Sequence, residues 1–380
     1  VLEYSMSRAQ GHPVNLMSRI LLLKFWILPW VGSWKVFEQV RQWAEFTGRQ
    51  ISMFTIRRYF LTGIIGLVLF NAGIFPALYA GEKKGKWSSF DGADFPYTSW
   101  LDYGQAKPKA IVVCVHGLSG AASDFEQLGT RLSKQGMAVY AHELRGQGND
   151  PKASRIGDLR SPNLWFKDLE SFLAMTRGRH REAPVFLYGE SLGALIVMHG
   201  FSGLSAANRS AVRGMIYASP VVALPETLPP VREFLVRVVM RVLPKLKVSL
   251  VNLAGKQSDK VTGDSGHWEQ MQKTKHYVPR FTLRFLMAVE KMAWGGTGAA
   301  RPVRKPVLVV YPGQDVFTKP AQVEQFFKAL ESPDKTKRLF AESHHLLAFD
   351  KEREALFKLV GEWIGKRSGQ ANAPEPVPGR

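Results

Sequence analysis

The sequence predicts an α/β fold: a mostly parallel sheet with helices on both faces and an inserted helical cap, preceded by an N-terminal hydrophobic anchor. Three observations predict it. Short apolar runs alternate with helix-like segments through residues 110–218 and again through 306–364, the pattern of parallel strands joined by crossover helices. The interval from about 220 to 302 breaks that alternation and carries a long amphipathic stretch instead. Ahead of the first strand, Leu61–Ala80 runs for 20 residues without a charge, enough helix to cross a bilayer core.

Length and composition narrow the field. A chain of 380 residues with 45% hydrophobic content holds one large α/β domain with an insertion, or two domains, and a sizeable core. The 51 Lys and Arg against 32 Asp and Glu leave a net charge of +19, which favours anionic partners such as anionic lipid or an anionic substrate. No basic cluster is interleaved with aromatics in the manner of a nucleic-acid-binding module, so nucleic acid is not an expected partner. The one cysteine, Cys114, lies in the apolar run 110–115 and reads as a packing residue. Metal-ligand spacings of the C-x-x-C or H-E-x-x-H kind are absent, so no metal and no organic cofactor is expected.

Taken in order, residues 1–60 form an N-terminal extension. It contains Leu16–Trp34, an apolar, tryptophan-rich run interrupted by Arg19 and Lys24, suited to an interfacial helix. Residue 1 is Val, and translation from Met53 would put Arg57 and Arg58 directly before the apolar run 61–80. That is the layout of a signal peptide or uncleaved anchor, so the protein is expected to be membrane-associated or exported. A buried core helix is the alternative. Lys83, Lys84 and Lys86 follow the run closely, which leaves orientation open.

The catalytic-type domain is expected over 81–366. Residues 87–104 read as loops with two short strands. Ala110–Val115 is a continuous apolar strand, followed by a helix over Ser123–Gln135 and a strand over Met137–Leu144. Asn163–Arg177 is an amphipathic helix offering Leu164, Phe166, Leu169, Phe172 and Leu173 to the core. Strands follow at 184–188 and Gly214–Ala218, with a helix over Ala194–Gly203 between them. In the cap, about 220–302, Val231, Phe234, Leu235, Val238, Val239, Val242 and Leu243 share one helical face, with Arg237 and Arg241 opposite. That face either buries itself against the domain or meets an acyl chain or lipid. Strand Pro306–Tyr311, helix Ala321–Leu330, strand Lys337–Phe340 and helix Lys351–Ile364 complete the domain. Residues 367–380, rich in Pro, Gly and Ala, read as a disordered tail.

The chemistry centres on Pro184–Gly193, PVFLYGESLG. An apolar strand runs into Gly189-Glu-Ser191-Leu-Gly193 and then a helix. A G-x-S-x-G motif between strand and helix holds its serine on a sharp, strained turn. A serine hydroxyl needs a general base, an acid to orient that base, and donors for the oxyanion. Asp315, in Tyr311-Pro-Gly-Gln-Asp315, and His345, in Glu342-Ser-His-His345, each follow a predicted strand, so both fall in loops at the same end of the sheet as Ser191. His344 is the alternative base. The backbone N–H groups of Leu118 and Leu192 are the candidate oxyanion donors. His116 reads as a brace for its loop, and Arg145-Gly-Gln-Gly148 as a structural turn.

These motifs carry a resemblance. VHGLSG at 115–120, AHELRGQG at 141–148, YGESLG at 188–193, ASP at 218–220, YPGQD at 311–315 and SHHLL at 343–347 resemble the monoacylglycerol lipase and lysophospholipase branch of the α/β-hydrolase superfamily, the serine aminopeptidase S33-like hydrolases. The likeness covers roughly residues 87–366 and places the cap in the same interval. It implies an α/β-hydrolase fold and a Ser191, Asp315, His345 triad. The chain departs at Glu143, where the family often has Asp, at Asp150, where it often has Ser, in the acid loop, which is G-x-D at 313–315 where several members have G-x-x-D, and in cap residues 256–280. The expected activity is hydrolysis of lipid-like carboxylic esters, a monoacylglycerol or a lysophospholipid, at a membrane surface. A small-ester carboxylesterase or S33-like peptidase is the alternative, and a non-catalytic membrane protein on the same fold is the second.

Overall fold

Strand β3, Ala110–Val115, buries all 6 of its side chains. Its alternation sends Ile111, Val113 and Val115 into the core on one face of the sheet, and Ala110, Val112 and Cys114 into the core on the other. Only a central strand covered on both faces has a use for such a run. In the computed structural model the described residues are 80–102, 107–223, 238–249, 261–263 and 266–369, all within the unit Phe75–Arg380. The extension 1–60 with its Leu16–Trp34 run, the hydrophobic run up to residue 79, cap residues 224–237 and 250–260, and the tail from 370 lie outside them. Among the described residues no helix is long and apolar enough to cross a membrane.

The other elements are β1 (Ala80–Ser88), β2 (Asp94–Asp102), α1 (Glu126–Ser133), β4 (Met137–His142), α2 (Asn163–Arg179), β5 (Val185–Glu190), α3 (Leu192–Phe201), α4 (Ala206–Ala211), β6 (Val212–Ala218), β7 (Lys247–Ser249), α5 (Gly266–Thr274), β8 (Arg280–Thr282), α6 (Leu283–Ala300), β9 (Val307–Pro312), α7 (Pro320–Ala329), β10 (Lys335–Phe340) and α8 (Arg353–Ser368). The main sheet has 8 strands in the order β1-β2-β4-β3-β5-β6-β9-β10. The β1–β2 and β2–β4 pairs are antiparallel, and the remaining pairs are parallel. Helices α2, α3, α6 and α7 contribute to one core and α1 and α8 to the other. In such a sheet the loops at the carboxyl ends of the parallel strands share one rim, and that rim is where chemistry gathers.

The N-terminal edge differs from the expectation of loops and short strands. Strands β1 and β2 are 9 residues each and pair along their whole length. Ala80, expected to end the hydrophobic run, instead opens β1, and Lys83, Lys84 and Lys86 ride on that edge strand. An edge strand is half solvated, so it shows little hydrophobic alternation, and its lysines discourage pairing with other chains. Trp87, Phe95 and Tyr97 anchor the pair in the core. The C-terminal helix also runs further than expected. Residues 367 and 368, expected in the disordered tail, belong to α8. Arg367 donates to both oxygens of Asp334 at 2.9 and 2.6 Å and stacks on Trp363, interactions that hold the last turn closed.

The insertion also ends differently from a free-standing cap. Helix α6, at its C-terminal end, packs on α3: His199 Nε2 donates to Met292 O at 2.8 Å, and Phe285, Met292 and Ala293 join the main core. This helix therefore completes the layer over the sheet. Near residues 238–242, which are helical, the expected apolar face is solvent-facing. Val238, Val239, Val242 and Leu243 are 41%, 44%, 69% and 51% exposed.

The turn after β4 is held by a buried cation. Arg145 donates to Asp168 at 3.0 and 2.8 Å and to Asp91 at 2.8 and 3.1 Å, and lies over Phe95. Its carbonyl accepts from Trp165 Nε1 at 2.9 Å. The segment 145–148 is thus a structural turn, as the sequence suggests. Arg145→Met should lower unfolding stability by about 3–5 kcal/mol, because it strands the Asp168 charge in the interior. Arg145→Met combined with Asp168→Leu should recover most of that loss. Denaturant unfolding of the single and double variants checks this, and a single-variant loss under about 1 kcal/mol would show that the pair does not hold the turn.

Candidate active site

Three chain segments meet where β5 ends. A Cβ on Gly193 would sit 1.9 Å from the carbonyl oxygen of Val115, and one on Gly189 would sit 2.4 Å from the carbonyl oxygen of Gly193. Glycine at both positions lets β5, β3 and α3 approach this closely. The chain reverses between them at Ser191, with φ 55° and ψ −115°, a conformation that costs a non-glycine residue free energy and persists only when the surroundings impose it. Here Ser191 N donates to Ala218 O at 2.9 Å, and α3 begins at the next residue.

Ser191 Oγ lies 2.8 Å from His345 Nε2, and His345 Nδ1 lies 3.1 and 3.0 Å from the two oxygens of Asp315. With the proton on Nδ1 donated to Asp315, Nε2 is free to accept from the serine hydroxyl. The side chains of His345 and Asp315 are 3% and 2% exposed. Asp315 is steadied by Phe317 N, which donates to it at 2.8 Å. The ring of Phe317 packs edge-on against His345, with centroids 4.6 Å apart. The residues named from the sequence therefore converge, although they come from the ends of β5, β9 and β10. His344 is engaged elsewhere: its backbone N–H donates to Asp350, and its Nδ1 lies 2.9 Å from the same carboxylate.

Leu118 and Leu192 flank Ser191 from two sides. A Cβ on Gly117 would lie 3.3 Å from Ser191 Cβ, which puts the loop after β3 directly against Ser191. Leu192 is the first residue of α3, so its N–H belongs to the unsatisfied helix N-terminus. Among the described residues neither Leu118 N nor Leu192 N donates to a protein acceptor. The loop itself is braced by His116, whose Nδ1–H donates to Gly117 O at 2.9 Å while Nε2 accepts from Leu144 N at 3.1 Å. Burial lowers the His116 pKa to about 3, so it stays neutral, with both ring nitrogens engaged in these two bonds. Gln147 Oε1 accepts from Ser119 N at 3.0 Å. At two of the positions where the motifs depart from the resemblance, Glu143 accepts from Ala122 N and Asn149 Nδ2, and Asp150 accepts from Gly146 N and Arg155. Both support turns.

Two contributors were not singled out from the sequence. Ser219 Oγ donates to His345 O at 2.6 Å and so holds the backbone of His345 in place. Its signal was its place at the end of β6 in the motif at 218–220. Glu190, the variable residue inside G-x-S-x-G, is 2% exposed with Oε1 unpartnered. Burial raises its pKa from 4.5 to about 7, opposed by the attraction of His345. No sequence signal marks it, because its environment is made by tertiary packing alone.

A family model described as serine aminopeptidase, S33, matches residues 106–352. The chain is 25% identical over 255 residues to phospholipase YtpA of Bacillus subtilis, covering 66% of this chain and 93% of that protein. It is 22% identical over 271 residues to monoglyceride lipase of Rattus norvegicus, covering 70% and 86%. Among solved structures, it is similar to a monoacylglycerol lipase from Paleococcus ferrophilus with a TM-score of 0.59 at 22% identity, covering 76% of this chain and 99% of that one. It is also similar to a soluble variant of monoglyceride lipase from Saccharomyces cerevisiae bound to a substrate analogue, with a TM-score of 0.64 at 19% identity, covering 75% and 96%. At these identities the structural likeness speaks for the fold.

The raised pKa of Glu190 makes a pH prediction. The folded protein holds this proton up to about pH 7, whereas the unfolded chain releases it near 4.5. The folded state therefore binds more protons between those values, and stability falls as pH rises through them. Glu190→Gln removes that titration. The stability of the variant relative to the parent should climb between about pH 4.5 and 7 by on the order of 3 kcal/mol and then level off. Thermal melts at pH 5, 6 and 8 measure it, and a difference independent of pH would place Glu190 outside the dry interior.

Proposed function

The chain belongs to the serine aminopeptidase S33 family, on the α/β-hydrolase fold, and is a carboxylic ester hydrolase; we propose that its substrates are esters of lipids, a monoacylglycerol or a lysophospholipid, cleaved through an acyl-enzyme on Ser191. The observation that carries this reading is the hydrogen-bonded line from Ser191 to His345 to Asp315, ending on a serine in a strained turn. Ser191 Oγ attacks the ester carbonyl as its proton passes to His345 Nε2. Asp315 holds the imidazole by its Nδ1–H and favours the imidazolium that forms. The N–H groups of Leu118 and Leu192 stabilise the oxyanion, the latter aided by the dipole of α3. His345 then gives its proton to the leaving alcohol. Water, activated by the same histidine, releases the fatty acid and restores the serine.

Two features support a lipid substrate. The relatives named above act, by their names, on phospholipid and on monoglyceride. The insertion exposes Val238, Val239, Val242, Leu243 and Leu246 beside Arg241, Lys245 and Lys247. An apolar stripe with a basic border suits an anionic lipid surface, its electrostatic share weakening with salt. We assign membrane attachment or export to the hydrophobic run 61–79 that precedes β1, which would keep the site where an apolar substrate concentrates.

Ser191→Ala should abolish ester hydrolysis with the fold intact. It should also abolish labelling by a fluorophosphonate probe. Residual activity above about a hundredth of the parent's would displace Ser191 as nucleophile, and failure of the parent to react with the probe would favour a non-catalytic protein. His345→Ala should cost about as much as Ser191→Ala, since the triad acts as a unit, and His344→Ala far less. A larger loss at His344 would reverse that assignment.

A chain beginning at Ala80, the first residue of β1, should stay folded and keep its rate on a short water-soluble ester. Its rate on membrane-embedded substrate should drop. Profiling esters by acyl length completes the test: preference for short acyl groups or for peptide amides would turn the assignment to a small-ester esterase or a peptidase. Misfolding of the shortened chain would count the preceding run as part of the core.

A further inference from the structure

We infer that Asp124, His267 and His276 form a binding site for one divalent transition cation, with zinc the best match, that ties the insertion to the loop beside Ser191. The ligand atoms of the three residues lie within 4.8 Å of one another. Asp124 Oδ1 is 4.0 Å from His267 Nε2 and 3.9 Å from His276 Nε2. Asp124 and His276 are 5% and 0% exposed, and His267 is half-buried.

Hydrogen bonding decides what these atoms can accept. Thr274 Oγ donates to Gln270 O at 2.8 Å, so its own proton is committed. Its contact with His276 Nδ1 then requires the imidazole to donate, which puts the His276 proton on Nδ1 and leaves Nε2 as a bare lone pair. That Nε2 is buried with no hydrogen-bond partner. Both oxygens of Asp124 already accept, Oδ2 from Ala121 N at 2.9 Å and Oδ1 from Gln270 Nε2 at 3.1 Å. A lone pair on His276 and a carboxylate oxygen thus face one buried space with a second imidazole at its edge. An unpaired acceptor in such a place costs free energy unless something positive fills the space.

Two imidazole nitrogens and one carboxylate oxygen make a borderline ligand set that suits zinc and its neighbours. Bonds of about 2.0–2.1 Å in a tetrahedral site put ligand atoms roughly 3.3 Å apart. The separations from Asp124 Oδ1 are 3.9 and 4.0 Å and all three ligand atoms lie within 4.8 Å of one another, so binding an ion requires them to draw together by up to about 1.5 Å. Thr274 on His276 and Gln270 on Asp124 are the kind of outer partners that orient metal ligands. With three protein ligands, a fourth position remains for water.

The location gives the ion a structural consequence. Asp124 lies in the 3-10 turn Ala122–Phe125, at the end of the loop that carries Leu118, and its Oδ2 caps that loop through Ala121. His267 sits in α5, in the insertion, and packs on Phe349, just beyond His345, with ring centroids 4.7 Å apart. His276 lies two residues past the end of α5. A cation here would pin α5 between the oxyanion loop and the loop of the base.

Tag-free full-length protein, stripped with chelator, provides the test. Titration with Zn²⁺ should show one saturable site and a higher melting temperature, and Co²⁺ should give the intense visible absorption of low-coordinate nitrogen and oxygen ligation. His276→Gln and His267→Gln should each abolish both responses while melting in the absence of metal as the stripped parent does. Thr274→Val should weaken Zn²⁺ binding by about 10–100-fold. If His276→Gln fails to fold, the half-buried His267→Gln variant still carries the test. Absence of saturable one-to-one binding in the parent, or binding undiminished in His267→Gln, would overturn the site.

Discussion

The carbonyl oxygen of Val115 occupies the place where any side chain on residue 193 would begin. That approach brings β3, β5 and the start of α3 together, and the remaining site geometry depends on it. It leaves no room for a gentle curve between strand and helix, so the chain turns at Ser191 through a left-handed conformation. The same turn lifts Oγ to the rim of the sheet, leaves the Leu192 N–H at the helix end and sets the Gly117 loop against Ser191. Parallel strand order does the rest, since β9 and β10 end on that rim and deliver Asp315 and His345 without further contrivance.

Burial then sets the electrical state of the surroundings. The histidines that brace or face the loop after β3, His116, His267 and His276, are pushed by desolvation to pKa values of about 3 to 4, so all three are neutral imidazoles. Glu143 and Glu190 are both raised to about 7 by desolvation. An ionised Glu190 next to Ser191 would attract the imidazolium of His345 during turnover. The buried charge at Arg145 is tolerated because two carboxylates and an aromatic face surround it. Some buried polar atoms here have no partner, among them Glu190 Oε1 and the His276 Nε2 that faces the Asp124 carboxylate.

The insertion serves two ends of the molecule differently. Its last helix, α6, is core: it lies on α3, the helix that starts directly after Ser191. Its middle, around residues 238–246, turns apolar side chains outward. Between them, α5 lies between the loop that carries Leu118 and the loop that carries His345. One segment thereby supports the catalytic rim, bridges it, and offers an apolar surface to the exterior.

Local pattern made much of this legible in advance. Apolar runs of strand length, helices between them and G-x-S-x-G at a strand-to-helix junction are properties of neighbouring residues, so the sheet, the turn at Ser191 and the order Ser191, Asp315, His345 could be read directly. The choice between His344 and His345 could only be argued by resemblance, because both occupy the same loop and packing decides which ring meets Asp315 and which meets Asp350. The edge strand β1 escaped notice because a half-solvated strand needs no hydrophobic alternation, and the last turn of α8 because its support, Asp334, is remote in sequence. The unpartnered carboxyl of Glu190 and the meeting of Asp124 with His267 and His276 have no linear signature at all. The sequence by itself determined the elements and the chemistry each could carry, since those follow from short-range periodicity and sterics. Tertiary structure alone decided which distant groups face one another and how much water they lose, and desolvation is what gives those groups their properties.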